Sequence, residues 1–186
     1  IALASGRPTY GLMPLAKILE LGNYGGFIVS YNGCQIINAQ NGEILFERRI
    51  NPEMLPYLEK KAHKNGFAIF TYHDDTLLTD SPNNEHIRTE AKLNNLKIIK
   101  EEDFSIAIDF APCKCMLVSN KEEALVGLEQ HWKRRLAGTL DTFRSEPYFL
   151  EVVPCGVDKA NTLGVLLEHL GVTREEVIAV GDGVCD

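Results

Sequence analysis

Two short apolar runs at opposite ends of the chain, Ile1-Ala2-Leu3-Ala4 and Val177-Ile178-Ala179-Val180, each stop in a loop of small and polar residues. The first gives way to Ser5-Gly6-Arg7-Pro8 and the second to Gly181-Asp182-Gly183-Val184-Cys185-Asp186. Unbroken apolar runs of this kind read as strands buried on both faces of a parallel sheet. Ligands of such sheets bind beyond the carboxyl ends of the strands, where loops from distant parts of a chain converge. The pattern predicts an α/β fold whose core draws on both ends of the sequence.

The segments between fit that frame. Thr9 is placed to cap a helix over roughly residues 10–21, with Leu12, Leu15, Ala16 and Leu19 at helical spacing and Gly22 as its stop. Phe27-Ile28-Val29-Ser30 reads as a second strand, followed by the turn Tyr31-Asn32-Gly33. Gln35-Ile36-Ile37 and Glu43-Ile44-Leu45-Phe46 flank Asn41-Gly42, a hairpin signal. The middle changes rhythm. Helices are expected over 52–65, 84–94 and 121–134, and strands over 67–72, 106–109, 115–118, 139–143 and 148–153. Residues 74–84 read as a polar loop, and Glu151 as an outward-facing position on its strand. This block reads as an α+β unit, one sheet with helices on one face. Lys159 to Leu170 then returns to a helix with Leu163, Leu166, Leu167 and Leu170 on one stripe, closed by Gly171. The expected organisation is a discontinuous core, residues 1–47 and 153–186, with residues 48–152 inserted as a cap.

Composition narrows the partners. Nineteen Lys and Arg against 26 Asp and Glu leave a formal charge of −7, the wrong sign for the basic footprint of nucleic-acid binding. No apolar run approaches the ~20 residues that cross a bilayer, so no membrane partner is expected. Five cysteines, at 34, 113, 115, 155 and 185, are odd in number and irregular in spacing. They read as reduced thiols in a cytoplasmic protein. The oligomeric state is open.

Several residues could carry chemistry, and each has a plainer alternative. Asp182 and Asp186 form a tight acidic loop of hard oxygen ligands suited to Mg²⁺, or they cap and solvate a helix start. Ser5-Gly6-Arg7 offers a hydroxyl, a close-approach glycine and a guanidinium for phosphate, or it caps a helix. Lys159 opens a helix where the dipole disfavours a cation. It either faces an anion or is solvated. Asn32-Gly33 either aims an amide at the same cleft or only turns the chain. The five histidines lack metal-ligand spacing. Trp132-Lys133-Arg134-Arg135 reads as a solvated helix face.

Taken in order, Ser5-Gly-Arg-Pro, Tyr31-Asn-Gly-Cys, Glu151-Val-Val-Pro-Cys-Gly-Val-Asp-Lys159 and Val180-Gly-Asp-Gly-Val-Cys-Asp186 resemble the haloacid dehalogenase (HAD) superfamily. The closer likeness is to its Cof-type phosphatases, which carry a C2B-type cap. The resemblance runs along essentially the whole chain. It implies a Rossmann-like α/β core with an inserted α+β cap, and a Mg²⁺-dependent phosphatase of phosphorylated small molecules, often sugar phosphates. Ser5 would hydrogen-bond the phosphoryl group and Lys159 would neutralise it. Asp182 and Asp186 would hold the metal, and Gly6, Arg7, Asn32 and Gly33 would line the substrate site. The cap would supply selectivity and exclude water on closing.

The departures are equally specific. The family's first motif, Asp-x-Asp-Gly-Thr, supplies the nucleophile and the general acid/base. No Asp-x-Asp occurs in the 186 residues. The nucleophile is therefore expected upstream of Ile1, and the core is expected to be incomplete at both ends. Cys185 stands where Asn is usual, and Asp158-Lys159-Ala160 where Ser-Lys-Gly is common. The 186-residue polypeptide itself is expected to lack turnover. A non-catalytic sugar-phosphate-binding or regulatory protein on the same core is the rival expectation, and a phosphomutase a second one.

Overall fold

A computed structural model describes residues 1–181. Asp182 and Asp186, the expected metal ligands, lie outside the described residues. The chain divides into two compact units, one made of Ile1–Arg48 with Val157 onward and the other of Arg49–Gly156.

The first unit is a four-stranded sheet between two helices. Strand β1 (Ala2–Ala4) pairs in parallel with β2 (Phe27–Ser30), which runs antiparallel to β3 (Gln35–Asn38), itself antiparallel to β4 (Ile44–Glu47). Alternation along β2 sends side chains to both faces. Ile28 packs with Leu21 and with Leu12 and Ala16 of helix α1 (Thr9–Ile18). Phe27 and Val29 pack on the other face with Ile36 and Leu166. Each helix thus buries one apolar stripe against the sheet.

The second unit holds a six-stranded sheet in the order β7-β6-β5-β8-β10-β9. Its strands are β5 (Ala68–His73), β6 (Thr76–Thr79), β7 (Lys97–Lys100), β8 (Cys115–Val118), β9 (Leu140–Glu146) and β10 (Phe149–Pro154). Its helices are α2 (Leu55–Lys64), α3 (Glu85–Leu93), the single turn α4 (Phe104–Ala107) and α5 (Glu122–Arg135). Leu55 and Leu58 of α2 and Leu125 and Trp132 of α5 pack with Ile69, Leu117, Leu150 and Val152 in one core. The chain closes with α6 (Lys159–Leu170) in the first unit.

Several expectations need correction. Val177–Val180 is not a strand, and Ile178 and Val180 are 91% and 94% exposed. An apolar run becomes a strand only when a neighbour takes its ladder hydrogen bonds, and no strand of the described residues pairs with this one. Thr9 does not cap α1. It is the helix's first residue, Pro8 precedes it, and its hydroxyl serves the interior instead. Residues 106–109 belong to no strand. The Glu59 carboxylate accepts from the Phe104 and Ser105 N–H groups and the Ser105 hydroxyl, which fastens a helical turn there. The polar stretch after Tyr72 hides strand β6, because Asp74 adopts the left-handed conformation (φ 49°) that closes a tight hairpin between His73 and Thr76. Helices also flank both faces of the second sheet. Ile69 packs with α2 and α5. Tyr72, of opposite parity on the same strand, donates its hydroxyl to Glu90 of α3 at 2.8 Å.

Candidate functional site

The expected site residues of the first unit sit on three segments, and hydrogen bonds join all three. The loop after β1 docks on the turn after β2. The Ser5 N–H donates to Val29 C=O at 2.9 Å, Asn32 N–H to Ser5 C=O at 3.0 Å, and Tyr31 N–H to Arg7 C=O at 2.9 Å. The Arg7 N–H donates to Ser5 Oγ at 3.3 Å, so the serine hydroxyl is held over its own loop. Gly6 lets the Asn32 amide approach its backbone closely. A Cβ there would stand 2.8 Å from Asn32 Oδ1. Ser5 and Asn32 are half-buried and Arg7 is exposed.

The third segment is the start of α6. Thr162, buried on its first turn, donates its hydroxyl to Gly33 C=O at 2.8 Å across 129 residues of sequence. Gly33 adopts φ +106°, and a Cβ there would lie 2.6 Å from Asp158 C=O. Only glycine fits that turn and that approach. Tyr31 and Asn32 also take positive φ, 52° and 59°, so two non-glycine residues of this turn are strained beside the glycine. Strain of this sort costs of order 1–3 kcal/mol per residue and persists where surrounding contacts enforce it. Here the Ser5, Arg7 and Thr162 bonds do so.

Lys159 is the first residue of α6 and is half-buried. The residue before it answers the dipole objection to a lysine at this place. Asp158 is the helix cap, its carboxylate accepting from Asn161 N–H at 2.7 Å and Asn161 Nδ2 at 2.6 Å. A carboxylate at a helix start offsets the cation beside it and satisfies an amide that would otherwise lack a partner. The aspartate that replaces the family's usual serine therefore still caps.

Ser5, Gly6, Arg7, Asn32 and Gly33 thus belong to one hydrogen-bonded cluster, and Lys159 lies one helical turn from the residue that ties α6 to it. A polar chain leads away from this cluster through the interior. The Thr9 hydroxyl donates to Gln35 Oε1 at 2.7 Å and lies 2.6 Å from Ser30 Oγ. Thr9 has one hydroxyl proton, so Ser30 is the donor of that second bond. Gln35 Nε2 then donates to Glu47 Oε1 at 2.6 Å.

The metal expectation rests on Asp182 and Asp186, and among the described residues no group of three His, Cys, Asp or Glu side chains could hold an ion. By chemistry alone, two carboxylates suit Mg²⁺, which takes one or two protein carboxylates and retains water or substrate oxygens. Among the described residues no helix is long and apolar enough to cross a membrane.

Sequence reading missed three positions. Thr162 looked like an ordinary helical residue, although a β-branched hydroxyl in a first helical turn hints at a tertiary bond. Glu151, expected to face outward, is 4% exposed and ion-paired with Lys114 at 3.0 Å. Lys114 carried no local signal. Its ammonium also stands 5.5 Å from the centre of the Tyr72 ring.

The sequence model of the haloacid dehalogenase-like hydrolases matches residues 1–186. A crystal structure of a haloacid dehalogenase-like hydrolase from Bacteroides thetaiotaomicron is 45% identical, with a TM-score of 0.93, covering 100% of this chain and 69% of that one. The HMP-PP phosphatase of Yersinia pseudotuberculosis is 24% identical over 186 residues, which are 100% of this chain and 66% of that protein. The fold also matches a structure described as the HAD subclass IIB sugar phosphatase BT4131, at 18% identity and a TM-score of 0.72, over 95% of this chain and 64% of that one. The chain therefore spans about two thirds of the length of these relatives.

Proposed function

We infer, for a chain that belongs to the haloacid dehalogenase-like hydrolase family, that it serves a Mg²⁺-dependent phosphatase acting on a phosphorylated small molecule, with a sugar phosphate as the substrate class. The observation that carries this reading is the junction of the Ser5-Gly6-Arg7 loop, the Tyr31-Asn32-Gly33 turn and the first turn of α6. Relatives named as phosphatases support the reaction class, and the sugar phosphatase among the similar folds supports the substrate class.

In this reading the Ser5 hydroxyl binds a phosphoryl oxygen, and Gly6, Arg7, Asn32 and Gly33 line the substrate site. Lys159 supplies a fixed positive charge toward the oxygens that gain negative charge in the transition state. Asp182 and Asp186 would hold Mg²⁺, which when bound screens phosphate charge and orients the group for in-line attack. The attacking carboxylate would form an aspartyl phosphate that water then hydrolyses, and no Asp-x-Asp that could supply it occurs among these 186 residues. The second unit acts as the cap that selects the substrate and excludes water. The free thiols of Cys34, Cys113, Cys115 and Cys155 fit a cytoplasmic setting.

The test is phosphate release from p-nitrophenyl phosphate and a panel of sugar phosphates by a protein extended upstream of Ile1. Metal-dependent release that falls roughly 10²–10³-fold in Lys159→Ala, as for loss of a preorganised transition-state donor, upholds the assignment. Release unaffected by Lys159→Ala and Ser5→Ala refutes it.

A further inference from the structure

We propose that Thr162 is a positioning residue of the anion site, holding the helix start that carries Lys159 against the loops that carry Ser5 and Asn32; this rests on the phosphate-site reading above. Threonine is a poor choice for a helix on propensity alone. Where it does occur inside a helix, its hydroxyl ordinarily bonds back to the carbonyl four residues earlier, which here is Asp158. It does not do so. The Thr162 N–H takes the Asp158 carbonyl at 3.1 Å, and the hydroxyl reaches out of the helix to Gly33 C=O at 2.8 Å. The side chain is 2% exposed, so that bond has no competing water.

The contact is close on both sides. A Cβ on Gly33 would lie 2.7 Å from Thr162 Oγ1 and 2.6 Å from the Asp158 carbonyl oxygen. Helix and turn therefore meet with no room for a shift toward one another. Gly33 is the neighbour of Asn32, whose N–H is bonded to Ser5 C=O at 3.0 Å. Residues three apart on a helix share a face, so fixing Thr162 fixes the direction in which Lys159 leaves the helix. One hydroxyl thus sets the separation between a cation and a hydroxyl-bearing loop that lie more than 150 residues apart in sequence. Positions that lock a charged group from behind control affinity and orientation without touching the ligand.

The experiment measures inorganic phosphate affinity in a magnesium buffer by calorimetry, with the melting temperature of each protein recorded alongside. The proteins are the 186-residue chain, Thr162→Val, Thr162→Ser and Lys159→Ala. The measuring temperature lies well below every melting point, so each sample is fully folded. The expected result is affinity about 10-fold weaker in Thr162→Val, equivalent to about 1.4 kcal/mol, largely restored in Thr162→Ser, and lost in Lys159→Ala. A purely structural threonine would lower the melting temperature and leave the affinity of the folded protein unchanged. That outcome, or equal weakening in Thr162→Val and Thr162→Ser, overturns the proposal while the phosphate-site reading stands. No phosphate binding by the unsubstituted chain overturns both. Thr162→Ala reads the same hydroxyl should Thr162→Val fail to fold.

Discussion

Lys114 and Glu151 form an ion pair inside the second unit, Nζ to Oε2 at 3.0 Å, with side chains only 3% and 5% exposed. Both sit on the face of the sheet that Tyr72 shares, opposite the apolar face packed by α2 and α5. Burial raises the cost of leaving either charge alone, so the pair contributes through its completeness. Lys114→Met and Glu151→Leu are each expected to destabilise this unit by about 3–5 kcal/mol, and the double substitution to recover most of the loss. Urea unfolding followed by the fluorescence of Trp132, the chain's single tryptophan and fully buried in this unit's core, reads the effect.

Cys115 gives a pH signature. Burial pushes its thiol from an ordinary 9.0 up to about 12, although a hydrogen bond with Thr71 works the other way. The unfolded chain therefore releases this proton at lower pH than the folded one. Its contribution is fully present below pH 9 and is lost progressively as pH rises from there toward about 12. Cys115→Ser is expected to flatten the alkaline limb of the stability curve. At pH 8, iodoacetamide should spare Cys115 in the folded chain and modify it in urea, as peptide mapping would read.

Two glycines are expected to respond in opposite directions. Gly33→Ala forces a side chain against the Asp158 carbonyl in a left-handed conformation, with an expected loss of about 1–3 kcal/mol or more. Gly127, inside α5, has open space where a Cβ would stand. Gly127→Ala should add about 0.5–1 kcal/mol, because alanine loses less backbone freedom in a helix. Hydrogen exchange of the unit that holds each residue separates the two effects.

The 186-residue polypeptide contains no Asp-x-Asp. With Mg²⁺ it is expected to hydrolyse p-nitrophenyl phosphate no faster than buffer does. Metal-dependent turnover by pure material of this length would locate the nucleophile within these residues.

What could be read from the amino acids follows a physical divide. The strand Phe27–Ser30, the helix Lys159–Leu170 and the Ser5-Gly6-Arg7 loop announce themselves through apolar runs, periodicity and turn residues, all local signals. Strand β6 escaped because its flanking polar residues belong to a hairpin whose closure depends on Asp74 adopting a conformation rare for a side chain. Val177–Val180 has the composition of a strand, but composition does not provide a partner. Glu151 alternates as a surface residue would, and only a lysine 37 residues away makes its burial tolerable. The gathering of Ser5, Asn32 and the start of α6 was expected through a likeness of motifs. The hydroxyl that ties the last of these in place is a tertiary bond over 129 residues, and no window of sequence contains it.

The same bond has a consequence for biosynthesis. A ribosome delivers the first 48 residues, then the whole of the second unit, and only afterwards the helix that covers the apolar face of Phe27 and Val29. At about 5–20 residues per second, the nascent first sheet waits roughly 5–20 seconds with that face bare. The inserted unit, contiguous along the polymer, has all its strands in hand by then. During translation residues 1–48 thus emerge before the second unit but gain their last packing partner only after it.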